Sequence, residues 1–422
     1  MKLLNKTTNH FNVDNAIIVI NTYPTKDTVH TGGGLASYTK NTLLAIKRAN
    51  KFKKIIILAN IIDQEVSYIE DGFLVVRCWN RNFPYFSLLQ YILKFPKVRN
   101  CLLEFEFAAY GELLTASLIP LFLFILNILG KKITTVVHQA VLDLNSISTH
   151  AGLSGKTFLT KILSSCLQFY YQLIILNSHK VITLEQTLSD RLIKISGNKI
   201  VTIPHGLYPK KSISSITAKR RLDLDTNYIY VLAFGYLSHY KGSDIIVDAF
   251  KKELKIKGKK VKLILAGGES PTQGQKPHYR GFYEDLYKKI NDNDNIIHTG
   301  FVPDKRIQNF FSATDLVVFP YRTLMSASGS ISLAISYKKP FIVTRPLNIY
   351  TKYSSEISAV SVRNLIKKVL SDKKTLREMK KITADLSIQR NFKYQGQTYL
   401  DIIENRQIEM LNLNRAQSSA TI

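Results

Sequence analysis

Short apolar runs rich in β-branched residues alternate with longer stretches of helical period along the whole chain, the pattern of parallel α/β units. In the first half the runs that read as strands are Ala16–Ile20, Lys54–Leu58, Phe73–Arg77, Cys101–Phe107, Ile133–His138, Lys180–Thr183 and Ile200–Ile203. In the second half they are Tyr228–Phe234, Val261–Ala266, Ile296–His298, Leu316–Phe319 and Phe341–Thr344. Between the sets lies Pro204-His-Gly-Leu-Tyr-Pro-Lys-Lys-Ser-Ile-Ser-Ser215, which has no periodicity and predicts a linker that divides the chain almost in half. Residues Asn412 to Ile422 read as a frayed tail.

One segment strains the pattern. From Leu113 to Gly130 the only polar side chains are Thr115, Ser117 and Asn127, so length alone admits a membrane-spanning helix. Pro120 interrupts it, and the strand at Ile133 follows after Lys131-Lys132. That context favours a buried or membrane-facing helix of an α/β layer. The helix that includes Leu163 to Ile175, with Phe169, Tyr170 and Tyr171, is a second very apolar element. Both have the character of surfaces that dip into a bilayer interface without crossing it.

Composition narrows the class. With 422 residues the chain is too long for one ordinary core, so two domains are expected. Hydrophobic content of 45% and a mean hydropathy of −0.02 fit a globular protein. The three cysteines, Cys78, Cys101 and Cys166, are far apart and lack metal-ligand spacing, which fits a reducing compartment. The opening Met1-Lys-Leu-Leu-Asn-Lys has no signal-peptide core, so a cytoplasmic location is expected. The formal net charge of +27 should draw the chain to polyanions. Clusters at Lys47–Lys54 and Lys251–Lys262 contribute to it. An anionic membrane surface is the expected partner, with peripheral attachment at the inner face; a solvated lysine-rich surface is the alternative. Nucleic acid is not expected, because no RNA-binding signature, zinc finger or aromatic-interleaved basic helix occurs.

Several small-residue segments sit at the C-terminal ends of strands, where parallel sheets bind ligands. Thr31-Gly-Gly-Gly-Leu-Ala-Ser-Tyr-Thr-Lys40 follows the first strand, and Gly33 and Gly34 would let backbone approach a phosphate or sugar. The spacing differs from Gly-x-Gly-x-x-Gly, which argues against a nicotinamide cofactor. Thr134-Thr-Val-Val-His-Gln139 ends a strand on His138, and Ile203-Pro-His-Gly206 enters the linker. Ala233-Phe-Gly-Tyr-Leu-Ser-His-Tyr-Lys-Gly242, Leu263-Ile-Leu-Ala-Gly-Gly268 and His298-Thr-Gly-Phe-Val-Pro303 follow in the second half. Last comes Phe319-Pro-Tyr-Arg-Thr-Leu-Met-Ser-Ala-Ser-Gly-Ser330, running into a helix. Ser326, Ser328, Gly329 and Ser330 present backbone N–H groups at that helix start, a place for phosphate or simply a serine cap. Glu104 and Glu106 share a strand face at period two, either solvated or turned toward a ligand.

In this order the motifs resemble those of family 4 glycosyltransferases, over nearly the whole chain. The resemblance implies an α/β protein of two facing Rossmann-like domains (GT-B) with a central cleft. It implies an acceptor domain at 1–207, a nucleotide-sugar domain at 208–395, and a C-terminal helix at 396–422 packing back on the first domain before a tail. It also implies a retaining transfer of a hexose from a nucleoside-diphosphate sugar, used as co-substrate, with no tightly bound cofactor and no metal. The acceptor is expected to be a saccharide, lipid-linked as in surface polysaccharide synthesis. Asp223-Leu-Asp225 and Asp292-Asn-Asp294 precede strands and read as turns rather than metal sites.

Residue by residue, Lys241 stands where the family places a lysine on the diphosphate, and His138 where it places a histidine facing the donor sugar. Gly33, Gly34, Gly235, Arg322 and the serine loop complete the implied donor site, while Glu104 and Glu106 face the acceptor. Two departures stand out. Tyr236 replaces the family's arginine, leaving His239 or Arg322 as substitute cations. Ser326 and Ala334 replace two glutamates that contact the sugar and the ribose. A non-catalytic scaffold or sugar-binding protein is therefore the alternative reading, and a sugar-nucleotide epimerase a further one.

Overall fold

The computed structural model describes residues 2–26, 33–81, 85–271 and 273–406, so the expected tail lies outside the described residues. The first half builds one sheet from β1 (Ile17–Asn21), β2 (Ile55–Asn60), β3 (Val66–Glu70), β4 (Phe73–Trp79), β5 (Asn100–Phe105), β6 (Lys132–Val137), β7 (Lys180–Thr183) and β8 (Ile200–Thr202). Its strand order is β3-β4-β2-β1-β5-β6-β7-β8, parallel except for β3 against β4. The second half adds β9 (Ile229–Phe234), β10 (Leu254–Ile256), β11 (Lys259–Ala266), β12 (Ile296–His298), β13 (Leu316–Phe319), β14 (Phe341–Thr344) and β15 (Ser354–Ser355). There the order is β10-β11-β9-β13-β14-β15, with β12 on β11 and only β10 antiparallel.

Both sheets are buried on both faces, which is why their strands read as unbroken apolar runs. In the first sheet Ile18, Ile20, Leu58 and Leu103 face a layer that includes the helices Phe86–Leu93, Ile119–Ile128 and Thr157–Asn177. Ile17, Val19, Ile57 and Leu102 face the opposite layer, which includes the helices Gly33–Ala49 and Phe392–Ile403. The two helices of that layer touch closely: a Cβ on Gly396 would lie 2.1 Å from the Ala45 carbonyl oxygen.

Three strands escape the hydrophobic pattern. β3 and β10 are antiparallel edges closed by Asp71-Gly72 and Lys257-Gly258, both pairs at positive φ, and β15 is two residues long. Edge strands are half solvated, so their sequences carry no apolar run. The run Cys101–Phe107 is strand only to Phe105, because Phe107–Ala109 turns into a short 3₁₀ segment. The apolar stretch from Leu113 is two helices, Leu113–Ser117 and Ile119–Ile128, with Pro120 opening the second. Ile119, Phe122, Leu123 and Leu126 pack inward, while Leu121, Phe124 and Ile128 are exposed. Thr157–Asn177 is long and apolar enough to cross a membrane by length and composition, with only 28% of its apolar window buried.

Sheet order fixes where a ligand can sit. Strand direction of travel reverses around β1 in the first sheet and around β9 in the second, and such switch points leave a crevice beyond the strand ends. The helix beginning at Gly33 follows β1, and Gly235 follows β9 directly.

Candidate active site

A cleft of about 410 Å³ opens between the two sheets' C-terminal edges. Gly34, Tyr38 and Asn41 reach it from the helix Gly33–Ala49, at the four- and three-residue spacing of one helix face. Glu106 and His138 reach it from the ends of β5 and β6, and His205 and Lys210 from the segment after β8. From the second half come Ser326, Ala327, Gly329 and Ser332. The two sides meet directly, since Gln139 pairs with Ser326 and the Ala140 N–H donates to the Met325 carbonyl at 3.2 Å.

The serine loop opens the helix Gly329–Ser336. Ser328 caps it, its Oγ accepting from the Ile331 N–H at 3.3 Å and lying 3.1 Å from the Tyr321 hydroxyl. The cap is real, and it leaves Gly329 exposed at the cleft, where an added Cβ would meet nothing within 4 Å. Gly235 backs this helix start at φ +116°, a backbone that L-residues avoid. A Cβ there would lie 2.6 Å from Ser330 Oγ and 3.3 Å from Lys241 Nζ. Gly235, Ser330 and Lys241 therefore converge on one point although Ser330 is distant in sequence from the other two.

Lys241 is half-buried, and burial alone pulls its ammonium down to about pKa 8. Among the described residues no carboxylate lies within ion-pair distance of it. Such an ammonium, next to helix N–H groups, is arranged to receive an anion.

His138 is buried apart from its edge on the cleft. Its N–H continues the β5 ladder to the Phe105 carbonyl at 3.0 Å, and its Nε2 lies 2.6 Å from Glu104 Oε2. The Tyr38 ring meets it edge-on at 5.1 Å. His205 contacts Tyr38 as well, bonds Ser332 Oγ through Nδ1 at 3.0 Å, and is pulled down to about pKa 3 by burial and the neighbouring His138 and Arg390. It is a neutral wall of the cleft.

The fold has counterparts among known proteins. Residues 214–398 match the family model "Glycosyl transferases group 1". The chain carries a group 1 glycosyltransferase domain. Among curated proteins no sequence matches the chain significantly. Among solved structures, sucrose-phosphate synthase from Thermosynechococcus elongatus aligns with a TM-score of 0.67 at 15% identity, over 93% of this chain and 98% of that one. Anabaena HepE in complex with UDP and glucose aligns with a TM-score of 0.64 at 16% identity, over 92% and 99%. WaaG, a glycosyltransferase involved in lipopolysaccharide biosynthesis, aligns at 0.61 and 13%, over 92% and 99%. The fold is the two-Rossmann GT-B architecture.

Within this glycosyltransferase fold three expected site residues take other roles. Arg322 is no substitute cation: Asp244 holds it by two bonds of 2.8 and 2.6 Å, and its Nη1 also donates to the His239 carbonyl. Burial and the adjacent Arg322 also lower the pKa of His239, which disfavours the cationic form a substitute would need. Glu104 cannot touch an acceptor, because β5 runs beneath the cleft floor and buries its side chain completely against His138. Tyr236, in contrast, is exposed and stacks on the exposed Phe301, ring centres 6.5 Å apart. Gly33 starts its helix, while Thr31 and Gly32 lie outside the described residues.

Sequence reasoning overlooked Lys210, Tyr38 and Asn41. The Gly34–Tyr38–Asn41 spacing was available as a signal. Nothing local marks Lys210, whose N–H is tied to the Ser336 carbonyl at 2.9 Å only because the linker folds against the helix Gly329–Ser336.

Proposed function

We propose that the chain is a family 4 member with a Ser-Ala-Ser-Gly loop in place of the usual glutamate pair. It transfers a hexose with retention from a nucleoside-diphosphate sugar to a saccharide acceptor carried on a lipid. The observation that carries this reading is the convergence of Gly235, Ser330 and Lys241 at the start of the helix Gly329–Ser336, whose Gly329 lines the cleft together with His138. In this reading the helix N–H groups and Lys241 hold the diphosphate and stabilise the charge that grows as the sugar leaves. His138, oriented by Glu104, faces the sugar. Glu106 lies on the acceptor side, and the exposed Tyr236–Phe301 stack offers a flat surface to the nucleobase. The HepE likeness, a structure with UDP and glucose, supports a uridine nucleotide as the first donor to try.

Domain limits at 1–207 and 208–395, with 396–422 returning to the first domain, belong to the same proposal. So does peripheral attachment to the inner face of an anionic membrane, supported by the exposed Phe158, Ile162, Phe169 and Leu176 on one helix. Incubation with a panel of nucleotide sugars, followed by NMR of the released or transferred sugar, tests the reaction. Release of a nucleoside diphosphate with an α-configured product from an α-donor is expected. A protein that binds nucleotide sugars and never turns them over is instead the non-catalytic sugar-binding reading, which the pairing of Arg322 with Asp244 favours by leaving fewer free cations.

A further inference from the structure

The cleft has a neighbour. A second cavity, of about 530 Å³, is lined from the first half by Val141, Ile147, Gln168, Arg191 and Lys194 and from the second by Thr323 and Met325. The Gln139–Ser326 pairing runs between the two spaces: His138 and Ser326 line the cleft, Val141 and Met325 the second cavity. We propose that this second cavity binds the phosphate end of an amphiphilic molecule. In the glycosyltransferase reading above, on which this last step rests, that molecule is the carrier of the acceptor.

Three features carry the proposal. The cavity floor is apolar, with Val141, Ile147 and Met325 packed into a small cluster of their own. Its charged groups are mainly cationic. Arg191 is fixed by Nη1 donating to the Ala140 and Leu324 carbonyls at 3.0 and 2.6 Å, with its Nη2 making no bond to a described residue. Lys194 is exposed at the rim, with no carboxylate in ion-pair range among the described residues. Among the described residues the single acid lining the space is Asp143, whose Oδ1 already accepts from the Asn145 N–H at 2.9 Å. Two cations against one engaged carboxylate select an anion. Finally, Gln168 comes from the helix Thr157–Asn177, whose outward side exposes Phe158, Ile162, Phe169 and Leu176. The same helix that lines the cavity through Gln168 thus also carries an exposed apolar side that a tail could follow.

Calorimetry on the full chain, with dodecyl phosphate below its micellar concentration, tests the proposal. Dodecyl maltoside, inorganic phosphate and UDP are measured in parallel. Dodecyl phosphate should bind more tightly than either the maltoside or inorganic phosphate. Lys194→Glu should weaken it by about tenfold or more, Lys194→Arg should restore it, and neither change should alter UDP affinity. Equal affinity for the maltoside would remove the anion, and equal affinity for inorganic phosphate would assign the cavity to free phosphate; either result overturns the proposal. An unchanged affinity in Lys194→Glu also overturns it. Loss of UDP binding alone would sink the donor reading and leave this cavity untouched.

Discussion

At the scale of single residues two charge arrangements lie beside the cleft. Lys241 is an ammonium that burial has made easier to deprotonate, so its charge is present below about pH 8 and lost as pH rises through that value. Nucleoside-diphosphate affinity of the free protein should therefore fall above about pH 8. A bound diphosphate would raise the pKa again, so the loss in the complex should come later, and calorimetry across pH 6.5–9.5 (a roughly three-unit span around the shifted value) checks both. Lys241→Ala should lower turnover by about 10²–10³-fold, the usual loss for a key electrostatic donor. Because the ammonium is partly desolvated and meets no carboxylate among the described residues, its removal should leave stability unchanged or slightly higher, which thermal melting reads directly. Glu104 is the opposite case, a buried carboxylate whose Oε2 meets His138 and whose Oε1 has no hydrogen-bond partner among the described residues. Glu104→Ala leaves His138 without its partner and should cost about 1–3 kcal/mol, together with lost turnover. Retained stability and activity would mean the pair holds nothing in place.

At the scale of elements, the helix Gly329–Ser336 takes in the proposed reaction the place that a metal ion holds elsewhere, and it can be tested without disturbing the fold. Nothing lies within 4 Å of a Cβ on Gly329, so Gly329→Val should fold normally. Its side chain would stand in the cleft where backbone must approach phosphate. Nucleoside-diphosphate affinity should drop while the melting temperature stays within a degree or two of wild type, about what a few tenths of a kcal/mol would shift. Unchanged affinity would reduce the loop to a serine cap. The contact between the helices Gly33–Ala49 and Phe392–Ile403 gives the contrasting case. A Cβ on Gly396 would lie 2.1 Å from the Ala45 carbonyl oxygen, so Gly396→Ala should destabilise by about 1–3 kcal/mol as the helices are forced apart. Denaturant unfolding measures it.

Across the whole molecule the halves are joined by buried charge and offer a basic, apolar surface. Arg390 grips Glu185 by two bonds of 2.6 and 2.9 Å, both side chains buried, linking the last helices of the second half to β7's following turn. Burial opposes the arginine charge, but the Glu185 carboxylate more than offsets it and its pKa rises. Arg390→Ala strands a buried carboxylate and should cost about 3–5 kcal/mol, whereas a paired Arg390→Met with Glu185→Leu should recover most of it. On the outside, each Lys or Arg near an anionic leaflet contributes about 1 kcal/mol, screened over about 8 Å at physiological salt. Vesicle flotation should thus require anionic lipid and weaken steeply with added salt. Full solubility beside anionic vesicles at low salt would leave the charge of +27 as a solvated surface.

The sequence by itself determined the elements whose cues are local. Strands β1, β9, β13 and β14 are doubly buried, so each is a continuous apolar run with small residues after it, and their boundaries fall within a residue or two of the pattern. The family resemblance, and not a local cue, groups Gly235, Lys241 and the serine loop on the donor side. Edge strands β3 and β10 stayed hidden because half their surface faces water. Only the tertiary structure decided which charges are free. Arg322 and Lys241 look alike in sequence, yet Asp244 lies under one and no described carboxylate lies under the other. Glu104 and Glu106, two residues apart, are separated by the end of β5, which buries the first against His138 and turns the second into the cleft. Charge pairing and burial depend on partners distant in the chain. They are properties of the packed molecule, and a pattern of neighbours cannot carry them.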